Sequence, residues 1–224
     1  MIENSSLLSW SEAQKLLGSY GINLSGEAVV EDDVCKVAAK YAFPLVLKGY
    51  ATFNSHKKEQ GLVRFDINNE KELTRVYTEL DVQMKGWSGQ NEIVLQPTAS
   101  SGIELVVGAR RDPTFGAVLM FGLGGTLVEV LNEVVFALAP LDLQAALAML
   151  ERWPLRQLLD GYRGWPTVDR QELATLLIKL GHLISEHLEI QEIDLNPVIV
   201  GHKGLILVDG RVTVNQHISL GTIK

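Results

Sequence analysis

Residues 102–131 read GIELVVGARRDPTFGAVLMFGLGGTLVEVL, and how they fold decides the architecture around them. GIELVVGARR and GAVLMFGLGG are two strand candidates, each an apolar run with turn formers at its ends. Gly122, Gly124 and Gly125 put three glycines into four residues at the close of the second run. Residues without a Cβ let the backbone approach something closely, and exposed amides in such loops make anion sites. A tight turn within a sheet accounts for the same glycines. The spacing matches neither G-x-G-x-x-G nor G-x-x-x-x-G-K-[ST], so neither a dinucleotide fold nor a P-loop is indicated.

Toward the C-terminus, VVFALAPL, IQEIDLNPVIVG and GLILVDGRVTV are three more strand candidates. Two helices fall between the first and second of these, DLQAALAMLERW and DRQELATLLIKLGHLISEHL. The longer one starts at an Asp169 cap and carries Leu173, Leu176, Leu177, Leu180 and Ile184 at helical spacing. Toward the N-terminus, SWSEAQKLLGSYGI reads as a helix capped by Ser9 or Ser11 and stopped at Gly21. EAVV is a short strand, EDDVCKVAAKYA a helix, PLVLKG a buried strand and GLVRFDI another. NEKELTRVYTELDVQM is a helix with Leu73, Val76, Tyr77 and Leu80 on one face, and NEIVLQP is a strand ended by Pro97. This alternation predicts two lobes, residues 1–97 and 98–224, in a mixed α+β (α/β) fold.

Composition excludes several classes. A chain of 224 residues can bury a real core. Its net charge of −7 offers no surplus of cations for nonspecific nucleic-acid binding. No run of about 18 apolar residues is present, so no membrane span is expected, and no signal peptide is read at the N-terminus. Cytoplasm is the default location. The one cysteine, Cys35, lies in a helix-like stretch and reads as a small core residue.

Four features could carry chemistry. Lys48 ends an apolar strand, where it either snorkels or holds a phosphate. His56, beside Lys57 in a loop closed by Gly61, is either simply exposed or a phosphoryl acceptor, since neutral imidazole accepts phosphoryl groups well. The glycine loop is the third. In EIDLNPVIV, Asp194 and Asn196 alternate with Ile193 and Leu195, so both polar side chains share one strand face. Asp209 closes the following strand. If these strands pair, Asn196 approaches Asp209, and such oxygen ligands open to phosphate and water suit Mg²⁺. His182, His187, His202 and His217 have no metal-ligand spacing in common.

In this order, these residues resemble the nucleotide-binding (beta) subunit or domain of the NDP-forming acyl-CoA synthetases, the family of ADP-forming acetate–CoA ligase. SEAQKLLGSYGINL resembles its opening helix, FPLVLK its strand ending in a phosphate-binding lysine, and HKKEQGLV a stretch reading H-K-S-D-V-G-G-V. Residues 102–131 are close to its consensus throughout, and EIDLNPVIV with LVDGRV resembles its metal-binding end. The resemblance implies an ATP-grasp fold, two α+β lobes with the nucleotide cleft between them. It implies that His56 relays a phosphoryl group between ATP/ADP and a histidine of a CoA-binding, alpha-type partner subunit. The partner binds the carboxylic acid and CoA and forms acyl phosphate, then acyl-CoA. Lys48, Glu104, Gly122, Gly124, Gly125 and Glu129 would surround the nucleotide, and Asn196 and Asp209, with Asp194 adjacent, would bind Mg²⁺.

The chain departs from that pattern in places. Pro97 stands where the family has Glu, Glu133 and Ala137 where it has Asp and Arg, and Glu59 and Leu62 where it has Asp and Gly. These exchanges support an alternative, a catalytically weakened module serving as structural or regulatory partner of a CoA-binding subunit.

Overall fold

The computed structural model describes residues 5–29, 33–52, 61–87, 89–125, 133–162, 165, 167–201 and 204–215. Along the chain run β1 (Ser5–Leu7), α1 (Trp10–Ser19), β2 (Glu27–Ala28), α2 (Val34–Ala38), β3 (Leu45–Ala51) and β4 (Val63–Ile67). Then come α3 (Glu70–Met84), β5 (Asn91–Pro97), β6 (Ile103–Asp112), β7 (Gly116–Leu123) and β8 (Val134–Leu138). The chain continues through α4 (Leu143–Glu151), a 3-10 turn (Arg156–Asp160), α5 (Arg170–Glu186), β9 (Ile190–Gly201), β10 (Gly204–Leu207) and β11 (Arg211–Asn215).

The opening stretch folds as a hairpin. β6 and β7 pair antiparallel from Leu105 opposite Leu123 to Asp112 opposite Gly116. The Asp112 carboxylate closes the turn by accepting from the amides of Thr114 (2.8 Å) and Phe115 (2.9 Å). These two bonds favour the ionised carboxyl and hold its pKa below the usual range. Around the hairpin lies a seven-stranded sheet in the order β1-β11-β9-β6-β7-β8, with β10 also paired to β9. A four-stranded sheet has the order β2-β5-β3-β4. The strand pairs are antiparallel.

Alternation sorts the faces. Leu105, Val107 and Ala109 of β6, with Leu119 and Phe121 of β7, are buried in one core under α4 and α5. Phe121 meets Trp153 edge to face at 5.1 Å. The small sheet packs its own core, in which Leu45 and Leu47 meet Leu73, Val76 and Leu80 of α3. The long helix begins at Asp169, whose carboxylate accepts from Gln171 and Glu172, as the sequence predicts.

The N-terminal elements lie elsewhere than the sequence reading places them. β1 pairs with β11, and Trp10, Ala13, Leu16 and Leu17 of α1 are buried in the larger core. They sit with the large sheet, across the boundary expected near residue 97. The apolar face of α1 was legible, but the sheet that would cover it is a non-local choice. Ser9 rather than Ser11 caps this helix, in a reciprocal box with Glu12.

A smaller expectation is corrected. Cys35 is exposed, because the helix around it is only Val34–Ala38 and turns Val34 and Ala38 inward instead. Trp153 is fully buried, whereas Trp165 is half exposed. No helix among the described residues is long and apolar enough to cross a membrane.

Candidate nucleotide and metal site

The site is built where the two sheets meet. β9 carries Asn196, flanked on the same strand by buried Ile193 and Leu195. Leu207 lies opposite Val198, and Arg211 lies opposite Asp194. These two pairs bracket the break between β10 and β11 and put Asp209 across from Asn196. The strand pairing that the sequence reading required is therefore present.

Lys48 reaches this segment from the other sheet. Its Nζ donates to the Val208 carbonyl at 2.7 Å, one residue before Asp209. An ammonium has three donors, so one bond to a carbonyl does not by itself exclude a phosphate oxygen. Asp209 Oδ1 accepts from the Gly210 amide at 3.0 Å.

The glycine loop joins the same place. The Gly125 amide donates to Asn196 Oδ1 at 3.1 Å, and the Gly124 amide donates to the Glu104 carbonyl at 2.7 Å. A Cβ on Gly124 would lie 2.4 Å from the Leu105 carbonyl, so the loop lies directly on β6. Gly125 has φ +70°, and a Cβ there would lie 1.8 Å from Glu104 Oε2. Glycine is thus required at both positions, by close approach and, at Gly125, by a left-handed backbone. Glu104, Gly124, Gly125 and Asn196 form one cluster. Gly122 lies one turn away on β7, opposite Val106 and Val134. His56 and Glu129 lie outside the described residues.

Asp194, two residues before Asn196 on the same strand, lines a cavity of about 610 Å³ with Gly108, Arg110, Met120, Phe136 and Glu192. In register it faces Arg211 on one side and Gly108 on the other.

Asn196 and Asp209 offer hard oxygen donors on neighbouring strands. Among the described residues there is no group of three or more His, Cys, Asp or Glu able to hold a metal. Two oxygens alone do not make a cage for Mg²⁺, which keeps waters and shares phosphates with its substrate. The residues therefore fit a Mg²⁺ delivered with a nucleotide.

Sequence reasoning missed Tyr50 and Gln96. Tyr50, fully buried, donates through its hydroxyl to the Gly210 carbonyl at 3.1 Å. Gln96 Nε2 donates to Ser25 O and, at 3.0 Å, to Val208 O. Their partners lie 71 to 160 residues away, and no local pattern reports such a contact. Burial, and then the charge of Asp209, push the Tyr50 pKa up. The hydroxyl therefore stays protonated and keeps its donor. Arg111, in the GARR stretch of β6, is committed to backbone carbonyls of Ile184, His187 and Ile190.

The ATP-grasp domain family matches residues 1–214. The chain belongs to the ATP-grasp family. It is 32% identical over 206 residues to the beta subunit of acetate–CoA ligase [ADP-forming] I of Pyrococcus furiosus, covering 90% of this chain and 89% of that one. It is 31% identical over 223 residues to acetate–CoA ligase [ADP-forming] I of Archaeoglobus fulgidus. That match covers 97% of this chain but spans only 32% of the longer relative. Among solved structures, the dinucleotide-forming acetyl-coenzyme A synthetase 1 of Ca. Korarchaeum cryptofilum, with coenzyme A, Ca-AMPCP and HgCl⁺, superposes with a TM-score of 0.86 at 34% identity. The match covers 95% of this chain and 94% of that one. A second structure of that protein, with Mg-AMPPCP and its phosphohistidine segment pointing towards the nucleotide binding site, gives 0.80 at 36% identity, covering 94% and 93%.

These relatives favour a working subunit over the weakened module. Ala137 pairs with Leu119, packs against the core and also lines the cavity with Asp194.

Proposed function

We propose that the chain is the nucleotide-binding subunit of an ADP-forming acyl-CoA synthetase and relays a phosphoryl group through His56. The observation that carries this reading is the bond from Lys48 to the residue before Asp209, which brings a phosphate-binding cation and a metal-binding carboxylate together from different sheets. Lys48 neutralises the nucleotide phosphates, and the amides of the Gly122–Gly125 loop, with Glu104 and Glu129, line the nucleotide. Asn196 and Asp209 hold Mg²⁺, which supplies charge neutralisation on the phosphates when bound. The task is positioning and electrostatics.

In the forward step a neutral ring nitrogen of His56 bonds to the γ-phosphorus as the bond to the ADP oxygen breaks. ADP leaves with that electron pair, and the imidazole proton passes to solvent. A CoA-binding, alpha-type partner accepts the phosphoryl group and binds the carboxylic acid and CoA. The lobes divide functionally near residue 97, with α1 lent to the second.

With its partner present, γ-labelled ATP should label the chain as an acid-labile, alkali-stable phosphohistidine. His56→Ala should keep fold and nucleotide affinity but lose acyl-CoA formation by several orders of magnitude, because a covalent relay without its acceptor has no substitute. Normal turnover in His56→Ala would overturn the relay.

A further inference from the structure

We propose that Tyr50 is a positioning residue for Asp209, the member of a latch that fixes the metal-binding segment across the boundary between the two sheets. The inference rests on the nucleotide reading above, which assigns Asp209 but says nothing of what holds it.

Apart from the isolated bridge of Leu207 to Leu24, segment 207–210 pairs with no strand of the small sheet among the described residues, yet three of its carbonyls are taken. Leu207 O accepts from the Ser25 amide at 2.7 Å. Val208 O accepts from both Lys48 and Gln96. Gly210 O accepts from Tyr50. The residues on both sides of Asp209 are thus pinned through their carbonyls, and Leu24 bridges to Leu207 alongside. The donors differ in what nucleotide would do to them. Lys48 is drawn toward phosphates, whereas Tyr50 is buried, neutral and rigid and has no role with ligand. It sits on β3 two residues beyond Lys48, so the strand that brings the phosphate cation also brings the anchor of the metal ligand. Tyr50 is one of the few small-sheet side chains that enter the larger core, with Val94. A buried carbonyl stripped of its donor is costly, and the segment would move to regain one.

The consequence is specific to the metal. If Tyr50 sets the direction of the Asp209 carboxylate, then Tyr50→Phe, which keeps the ring and its packing, should weaken binding of the Mg²⁺ complex of AMPPCP by roughly fivefold, the effect of one net hydrogen bond. Binding of AMPPCP in EDTA should stay within about twofold, since that complex lacks the ion Asp209 would hold. Calorimetric titration of wild type and variant, with and without Mg²⁺, reads both. Equal losses in the two conditions would mean a merely structural role, and an unchanged Mg²⁺ dependence would mean none; either overturns the proposal. Hydrogen exchange without nucleotide reads the latch itself. Amides of residues 208–211 should exchange faster in Tyr50→Phe, while those of β6 and β7 should not. Unchanged exchange at 208–211 would also overturn it. A wild type that binds no AMPPCP while exchange at 208–211 still rises in the variant would instead sink the nucleotide reading and leave the latch standing.

Discussion

Of the two aspartates proposed near the metal, Asp209 lies across from Asn196 at the β10–β11 break, with Lys48 and Tyr50 bonded to the residues on either side of it. Asp194 lies opposite Arg211 in register and lines the cavity with Glu192. In the proposed site, Lys48 would bring the nucleotide phosphates, and with them Mg²⁺, to the side of Asp209. Replacing each aspartate by Asn should therefore give unequal results. Asp209→Asn should raise the Mg²⁺ needed for half-maximal turnover by roughly a hundredfold, as expected for loss of a charged ligand to a hard cation. Asp194→Asn should raise it by about tenfold, the lower end of the cost of losing an outer-shell partner. Steady-state turnover against Mg²⁺ concentration distinguishes them, and the reverse ranking would reassign the ligand.

Among the elements, α5 shows how a strand can finish a helix. Its last turn leaves carbonyls without intrahelical donors, and its sequence holds no cation in that turn. Arg111 of β6 supplies the donors instead, reaching the carbonyls of Ile184, His187 (3.1 Å) and Ile190 (3.2 Å). Arg111→Ala should lower the free energy of unfolding by about 1–3 kcal/mol, the cost of half-buried carbonyls losing a charged donor. Denaturant unfolding checks it, and nucleotide affinity should be unmoved. The same helix shows what was legible beforehand. Its start at Asp169 and its leucine face are written locally, in a cap and a period. Its end is not, since the arginine that closes it is about 75 residues upstream. Likewise the alternation of Asp194 and Asn196 with Ile193 and Leu195 gave the strand and its faces. Lys48 and Asp209 were legible as candidates from residue type and resemblance. Tyr50 carried no local signal, because the chemistry of its hydroxyl depends on a carbonyl 160 residues away. The helix around Cys35 was drawn too long, since a run of good helix formers does not say where packing will stop supporting it.

The molecule as a whole is tied at two places, the latch at 207–210 and the pairing of β1 with β11. In that pairing Ser5 lies opposite Asn215, so the first and last described strands run side by side in opposite directions. Antiparallel neighbours can be joined by a two-residue Asn-Gly turn. A circularly permuted chain is therefore available. Asn215 would run through such a turn into Ser5, and new ends would open between Ser100 and Ser101, both exposed in the connection from β5 to β6. The order of the lobes along the polypeptide would invert while every sheet contact survived. The permutant should unfold within a few degrees of the parent and bind Mg-AMPPCP with similar affinity, as calorimetry would measure. Failure to fold would show that the 97–103 connection is itself structural. Success would mean that the 97–103 connection is dispensable, and that the link from α1 to β2 suffices as a covalent route to keep Lys48 in register with Asp209.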